Sequence, residues 1–297
     1  MDRVHRTRAC GWTAGTLLLT AGLAAPAGAF VASIDAYRVD RDGAVFLSDG
    51  FDNGLEPPEA AGFAGAYSVF GVIPDTAESG SRLALDTSLG VFSFNAAGDP
   101  RQTVQVNHLT DTTGANPSLG LYRSHNLSVA GLFDIVPMPG PFSIYAVGVR
   151  DFQIGGGTRE QLQLQVSRND ATAFGAVRVA LVKQVFGAGG GSTGLGSVLF
   201  EPPSDATRIA LKLEHLADTD SFTASFRFWD TSGPLTTDFT VLGTGTMFND
   251  RNYVRPVFFA STQPVPEPGT YALLAAGLCA IAWATRRRRA PAPGRHA

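Results

Sequence analysis

The chain has 297 residues, of which 44% are hydrophobic and 16% charged, and its formal net charge at neutral pH is −3. Eight of the 23 basic residues lie before residue 30 or after Thr285, whereas only Asp2 and Glu267 of the 26 acidic residues lie outside residues 30–262. The middle region therefore has 15 basic and 24 acidic residues, near −9, which excludes a nucleic-acid partner because phosphate contacts need basic clusters. Cys10 and Cys279 lie in the terminal segments, so the middle region has no disulfide framework.

The first 29 residues predict a secretory signal peptide. Arg3, Arg6 and Arg8 precede an apolar run at residues 15–25, and small residues at 27–29 provide a cleavage site after Ala29. The apolar run is too short to span a bilayer.

Residues 30–262 predict a single all-β domain. Apolar and polar residues alternate at 161–166, 208–214 and 222–229, and such alternation is typical of strands with one buried face. Turn-forming pairs such as Asp42-Gly43 separate the strands. Further strands are predicted at residues 83–85, 90–94, 103–106, 142–149, 177–185 and 254–259. Many short strands without long helical periods predict an antiparallel two-sheet β-sandwich.

The order of these features resembles that of concanavalin A-like jelly rolls, including laminin-G domains. The resemblance rests on Asp49-Gly50-Phe51-Asp52-Asn53-Gly54, on paired late strands and on a closing strand near residues 253–260. It implies a jelly-roll fold and is used for the fold only.

A glycine-rich stretch at residues 187–196 contains the spacing of two catalytic or binding motifs. Gly189, Gly191 and Gly194 fit a dinucleotide fingerprint, and Gly190-Gly191-Ser192-Thr193-Gly194 fits a nucleophile elbow. Both motifs require a following helix, but Pro202 and Pro203 follow soon after. We therefore predict a mobile loop.

The spacing of glutamate and aspartate in the sequence does not indicate a glycoside hydrolase, which needs a pair of carboxylates at its active site. No glutamate has an aspartate two positions later, and Glu160, Glu201 and Glu214 are isolated in the sequence. We predict that the protein is not an enzyme. The alternative is a secreted polysaccharide-active hydrolase whose carboxylate pair comes from distant strands.

Two predicted loops contain clusters of residues that could bind a metal ion. His215, Asp218 and Asp220 gather near one turn, and Asp49 and Asp52 mark another. Calcium prefers several oxygen ligands, but aspartates also occur in turns because they hydrogen-bond the backbone. No cofactor is predicted, with a structural calcium at Asp218 and Asp220 as the alternative.

Trp229 is the only tryptophan in the middle region, and the strand pattern places it on the polar face. An aromatic ring there offers a flat surface on which a sugar could stack, so a carbohydrate contact is predicted. The alternative is that Trp229 packs under the turn at residues 230–234.

The C-terminal segment predicts a transmembrane helix. Residues 269–285 contain no charge, and a helix of this length measures about 26 Å, at the short limit for a bilayer. Positively charged residues next to a transmembrane helix stay on the cytoplasmic side. We therefore expect the cytoplasmic end of this helix at Arg286, Arg287, Arg288 and Arg289. The middle region would then lie outside the inner membrane.

The last residues, 263–297, resemble the PEP-CTERM sorting tail of Gram-negative bacteria. The motif consists of Val265, Pro266, Glu267, Pro268, Gly269 and Thr270, followed by the apolar span and the arginine cluster. The resemblance implies recognition by an exosortase, removal of the span, and delivery to the cell surface or to extracellular polysaccharide of the biofilm matrix. The sequence thus predicts an exported binding or structural module that is membrane-attached only before processing.

Overall fold

The computed structural model describes residues 30–52, 67–73, 78–94, 100–108, 110–111, 117–135, 143–152, 160–168, 177–186, 191–235, 238–246 and 253–262, together with Leu278 and Ile281. The predicted signal peptide and, apart from those two residues, the predicted sorting tail lie outside this part of the chain. No helix in the described part is long and apolar enough to cross a bilayer.

Strands are the main secondary structure of the described chain. The strands are β1 (Val31–Arg41), β2 (Ala44–Asp49), β3 (Tyr67–Phe70), β4 (Leu83–Asp86), β5 (Val91–Phe94), β6 (Pro100–His108), β7 (Leu127–Asp134), β8 (Ile144–Phe152), β9 (Glu160–Arg168), β10 (Val177–Val185), β11 (Ser192–Phe200), β12 (Arg208–Leu216), β13 (Ser221–Trp229), β14 (Thr240–Gly245) and β15 (Tyr253–Thr262). Two 3₁₀ turns, Thr87–Leu89 and Pro117–Leu119, connect strands.

The strands form two antiparallel sheets. Sheet A has the order β14-β13-β12-β7-β1-β2, with β4 pairing a second stretch of β1. Sheet B has the order β11-β10-β9-β8-β15-β6-β3, with β5 also pairing β6. The predicted antiparallel two-sheet sandwich is therefore confirmed.

One hydrophobic core fills the space between the sheets. Aromatic rings from both sides meet there, with 4.7 Å between the ring centroids of Tyr37 and Phe258 and 5.7 Å between those of Phe133 and Tyr145. Residues on alternate positions of each strand are buried in this core, for example Leu162, Leu164 and Val166 on β9. The intervening positions point away from the core, which fixes the side chains of each outer face.

Candidate functional site

The outer face of sheet B carries a row of amide side chains on β9. Gln161, Gln163 and Gln165 alternate with the core residues of that strand. The Gln161 Nε2 donates to Gln163 Oε1 at 2.8 Å, and the Gln163 Nε2 donates to Gln165 Oε1 at 3.3 Å. The row is an ordered series of neutral hydrogen-bonding groups, in which Gln161 and Gln163 are buried and Gln165 is half-buried.

A second polar row lies on β6. Asn107 Oδ1 accepts hydrogen bonds from Gln105 Nε2 at 2.7 Å and from Arg150 Nη1 at 3.0 Å. The Asn107 Nδ2 donates to the carbonyl oxygen of Ser68 at 3.2 Å. Asn107 thereby ties strands β3, β6 and β8 together on this face.

The residues between the two polar rows are apolar or glycine at Val257, Phe259, Ala146 and Gly148, with Arg255 and Arg150 at one end. Strands β15 and β8 lie between β6 and β9, so the rows are about 14 Å apart at the usual strand spacing. Val257, Gly148 and Gln163 are consecutive register partners across this interval. We call this surface, with its two amide rows and the residues of β15 and β8 between them, the amide face.

Sequence reasoning identified β9 as a strand but missed the amide face. A signal was present in the sequence, because three successive outward positions of β9 are the uncharged glutamines 161, 163 and 165. The β6 row could not be aligned with them without knowing that β15 and β8 lie between the two strands.

Trp229 lies at the end of β13 and is half-buried. The guanidinium carbons of Arg227 and Arg208 lie over its ring at 5.0 Å and 5.9 Å from the centroid. Its Nε1 is buried and has no hydrogen-bond partner among the described residues, and its backbone forms a bridge with Pro234. The tryptophan is thus engaged by arginines and by the following turn, and its predicted contact with sugar stays a prediction.

The two weak candidates for a metal ligand, Asp218 and Asp220, differ in their contacts. Asp218 is exposed, whereas the Asp220 carboxylate pairs with Arg123 and lies 3.2 Å from His215 Nε2. His215 is fully buried, and its Nδ1 lies 2.9 Å from the carbonyl oxygen of His125. No group of three or more potential metal ligands occurs in the described part of the chain. In the other loop, Asp49 Oδ1 accepts a hydrogen bond from the backbone N–H of Phe51.

The three isolated glutamates lie on different elements. Glu160 pairs with Lys183 at 3.0 Å, Glu214 pairs with Lys212 at 2.9 Å, and Glu201 is an exposed residue after β11. Their placement does not bring these three carboxylates together.

The glycine-rich stretch differs from the loop predicted for it. Residues 192–196 belong to strand β11, which pairs with β10 from Ser192 to Phe200. A strand at the edge of a sheet needs only backbone hydrogen bonds on one side, so glycines do not prevent its formation. Residues 187–190 lie outside the described part.

The geometry defines an antiparallel β-sandwich with a polar, amide-rich outer face. Comparison with protein families identifies a PEP-CTERM protein-sorting motif at residues 264–289. The chain therefore carries the predicted sorting signal, which marks it as an exported protein that an exosortase processes for the surface. None of the curated proteins matches the chain in sequence.

Among solved structures, the chain is similar to the metal-free form of lectin I-B4 from Griffonia simplicifolia. The identity is 8%, the TM-score is 0.34, and the alignment covers 68% of this chain and 92% of the lectin. The assignment of the fold rests on the strand pairing of this chain itself.

Proposed function

We propose that this chain is a non-enzymatic, exosortase-sorted β-sandwich that binds extracellular polysaccharide at the accessible end of the amide face, where Gln165 is half-buried while the other four amides are buried. The single observation that carries the proposal is the pair of ordered amide rows on strands β9 and β6. Side-chain amides offer both donors and acceptors, which match the hydroxyl groups of a sugar.

The sorting motif supports the location that this function requires. A protein delivered to the outside of the cell meets extracellular polysaccharide, which is the partner that the PEP-CTERM resemblance implies. The membrane association of the tail belongs to the stage before exosortase removes it. No cofactor is needed for binding by neutral amides.

The absence of acidic groups on the amide face favours binding over hydrolysis. The described outward positions of sheet B contain no aspartate or glutamate, and glycoside hydrolysis commonly uses two carboxylates. A binding surface has no such requirement.

Binding of the full-length protein to an array of immobilised polysaccharides tests the proposal. We expect retention on at least one polymer, and weaker retention of Gln165→Ala because this half-buried amide stands at the end of its row. Thr223→Ala, on sheet A, is the matched control and should bind as the unaltered protein does. A blank array, or equal losses for both variants, would contradict the proposal.

The variant Trp229→Ala on the same array tests the second surface separately. A specific loss of binding would assign a sugar contact to Trp229, whereas unchanged binding would leave it a structural residue of the turn.

A further inference from the structure

We propose that exosortase docks on one end of the folded sandwich while it processes the tail, and that Ile144, Ser167, Arg178 and Leu199 form the docking surface. The inference concerns the processing step and does not depend on polysaccharide binding.

The last strand lies close to the sorting motif along the chain. Strand β15 ends at Thr262, which is fully buried and pairs with Gln102 of β6. Glu267, in the middle of the motif, follows only five residues later. Because an extended chain spans at most about 3.6 Å per residue, Glu267 lies within about 18 Å of Thr262.

This short connection brings the enzyme against the domain. A small folded domain is about 30 Å across, so a protein that encloses Glu267 extends about 15 Å around it. That distance is nearly the whole reach of the connection. Residues 264, 266 and 268 are prolines, and proline-rich segments are stiff, so the connection does not act as a loose tether. The enzyme therefore contacts the end of the sandwich at which β15 leaves sheet B.

The beginning of the domain lies at the same end. The ring centroid of Phe30 is 5.5 Å from that of Tyr145, which is the register partner of Ala260 on β15. The Thr87 hydroxyl fixes Phe30, since its Oγ1 accepts from the Phe30 N–H and donates to the Phe30 carbonyl oxygen, both at 2.9 Å. Phe30 is the first residue after the predicted signal peptide. The export signal and the sorting tail would thus both hold this end of the sandwich towards the inner membrane.

A row of accessible side chains lies next to the point where β15 ends. Five residues are successive register partners on β15, β8, β9, β10 and β11: Ser261, Ile144, Ser167, Arg178 and Leu199. Ser261 is buried, whereas the other four are half-buried or exposed. We call these four residues the end row.

The end row has the position and composition of a protein contact. At the usual strand spacing its residues lie about 5–19 Å from β15, within the area that an enzyme bound at Glu267 covers. Protein interfaces are depleted in aspartate, glutamate and lysine and enriched in arginine. The end row has no residue of the first three types, and it combines Arg178 with the exposed apolar side chain of Leu199.

Site-specific photocrosslinking of the full-length protein, in cells that make exosortase, tests the contact. Leu199→p-benzoylphenylalanine places the crosslinker in the end row. Leu216→p-benzoylphenylalanine is the matched control, because both leucines are 51% exposed and Leu216 lies at the opposite end of the sandwich, where β12 ends. We expect an adduct with epitope-tagged exosortase from position 199 only. No adduct with exosortase from position 199, equal adducts from both positions, or an adduct with lipid alone would overturn the proposal.

Pulse–chase immunoblotting tests whether the contact promotes processing. Twelve glycine and serine residues inserted after Thr262 leave every described strand intact and add about 40 Å of reach. We expect the precursor to be converted at least about threefold more slowly, because the motif and the docking surface no longer engage the enzyme together. Leu199→Asp should slow conversion as well, since it adds a carboxylate to the contact, whereas Leu216→Asp should not.

Unchanged conversion of both the insertion variant and Leu199→Asp would show that exosortase reads the motif alone. Faster conversion of the insertion variant would make the folded domain an obstacle instead of a docking site. Melting temperatures identify an unfolded Leu199→Asp, in which case the insertion and the crosslink carry the test. Failure of these predictions leaves the proposed polysaccharide binding intact, whereas a complete lack of conversion, also of the unaltered protein, would overturn both the docking and the sorting.

Discussion

Individual residues on the amide face are fixed by close packing, most clearly Gly148. A Cβ atom at this position would lie 2.9 Å from the carbonyl oxygen of Leu162 and 3.1 Å from Val257 Cγ2. The backbone oxygen cannot move without disturbing the pairing of β8 with β9, so only glycine fits. The sequence showed a glycine in a predicted strand, but not which neighbour excluded a side chain.

Gly148→Ala should therefore lower the free energy of unfolding by about 1–3 kcal/mol, as overpacking does. Gly194→Ala on β11 is the control, because nothing lies within 4 Å of the Cβ atom that it adds. Urea unfolding followed by fluorescence measures both. Equal stability of the two variants would contradict the packing described for Gly148.

His108 makes the stability of the fold depend on pH. Burial, together with the charge of Arg255, lowers its pKa from 6.5 to about 4. The unfolded chain then binds more protons between these values, so stability rises with pH through this window and falls on acidification. The loss attributable to His108 at pH 4 is about 3 kcal/mol.

The variant His108→Leu should retain more of its stability at low pH than the unaltered protein. Chemical denaturation at several values between pH 7 and pH 4 gives the two profiles. Parallel profiles would show that His108 does not contribute.

At the scale of elements, the turn between β12 and β13 is tied to a neighbouring loop. Asp220 has a φ of 50°, in the left-handed region, and its carboxylate contacts both Arg123 and the buried His215. Aspartate and asparagine both tolerate this backbone conformation. Replacing one by the other therefore removes the charge without straining the turn.

Asp220→Asn should destabilise the fold by about 1–3 kcal/mol, because two hydrogen-bonded or ionic contacts weaken. The exposed Asp218 is the matched control, and Asp218→Asn should change stability by less than about 0.5 kcal/mol. Thermal or urea unfolding distinguishes them. A larger loss of stability for Asp218→Asn than for Asp220→Asn would show that Asp218, and not Asp220, is the stabilising carboxylate of this turn.

Most strands were predictable from alternation or from a short apolar run, whereas β1 and β7 were not, for identifiable reasons. Strands β9, β12 and β13 show the alternation most clearly, and β4, β5, β6, β8, β10 and β15 overlap the further predicted stretches. In β1 the pairing shifts between Ile34 and Ala36, which changes the face of later residues and hides the period. In β7 the outward positions Ala130 and Leu132 are themselves apolar, so the polar half of the pattern is missing.

At the scale of the whole molecule, the fold class and the sorting motif were readable from the sequence, whereas the amide face was not. The sandwich follows from alternation, and the motif from a short contiguous pattern at residues 264–289. The amide face combines residues from β6 and β9, which lie far apart in sequence and come onto one face only through the order of the sheet. Pairing over such sequence distances is not encoded by any local pattern.

The sorting motif makes a prediction about the entire chain. Pro266 and Pro268 lack backbone donors and favour an extended segment around Glu267, which suits entry into a processing enzyme. Replacing all three by alanine should leave the product larger and retained at the membrane, as followed by immunoblotting of cell fractions. Normal size and normal release of this variant would contradict the role of the motif.

The most direct test of the account is mass spectrometry of the C-terminus of the protein recovered from cells that make exosortase. The account predicts that the mature chain ends at or near the motif and lacks the apolar segment and Arg286 to Arg289. Recovery of an intact terminus at Ala297 as the main extracellular form would contradict it.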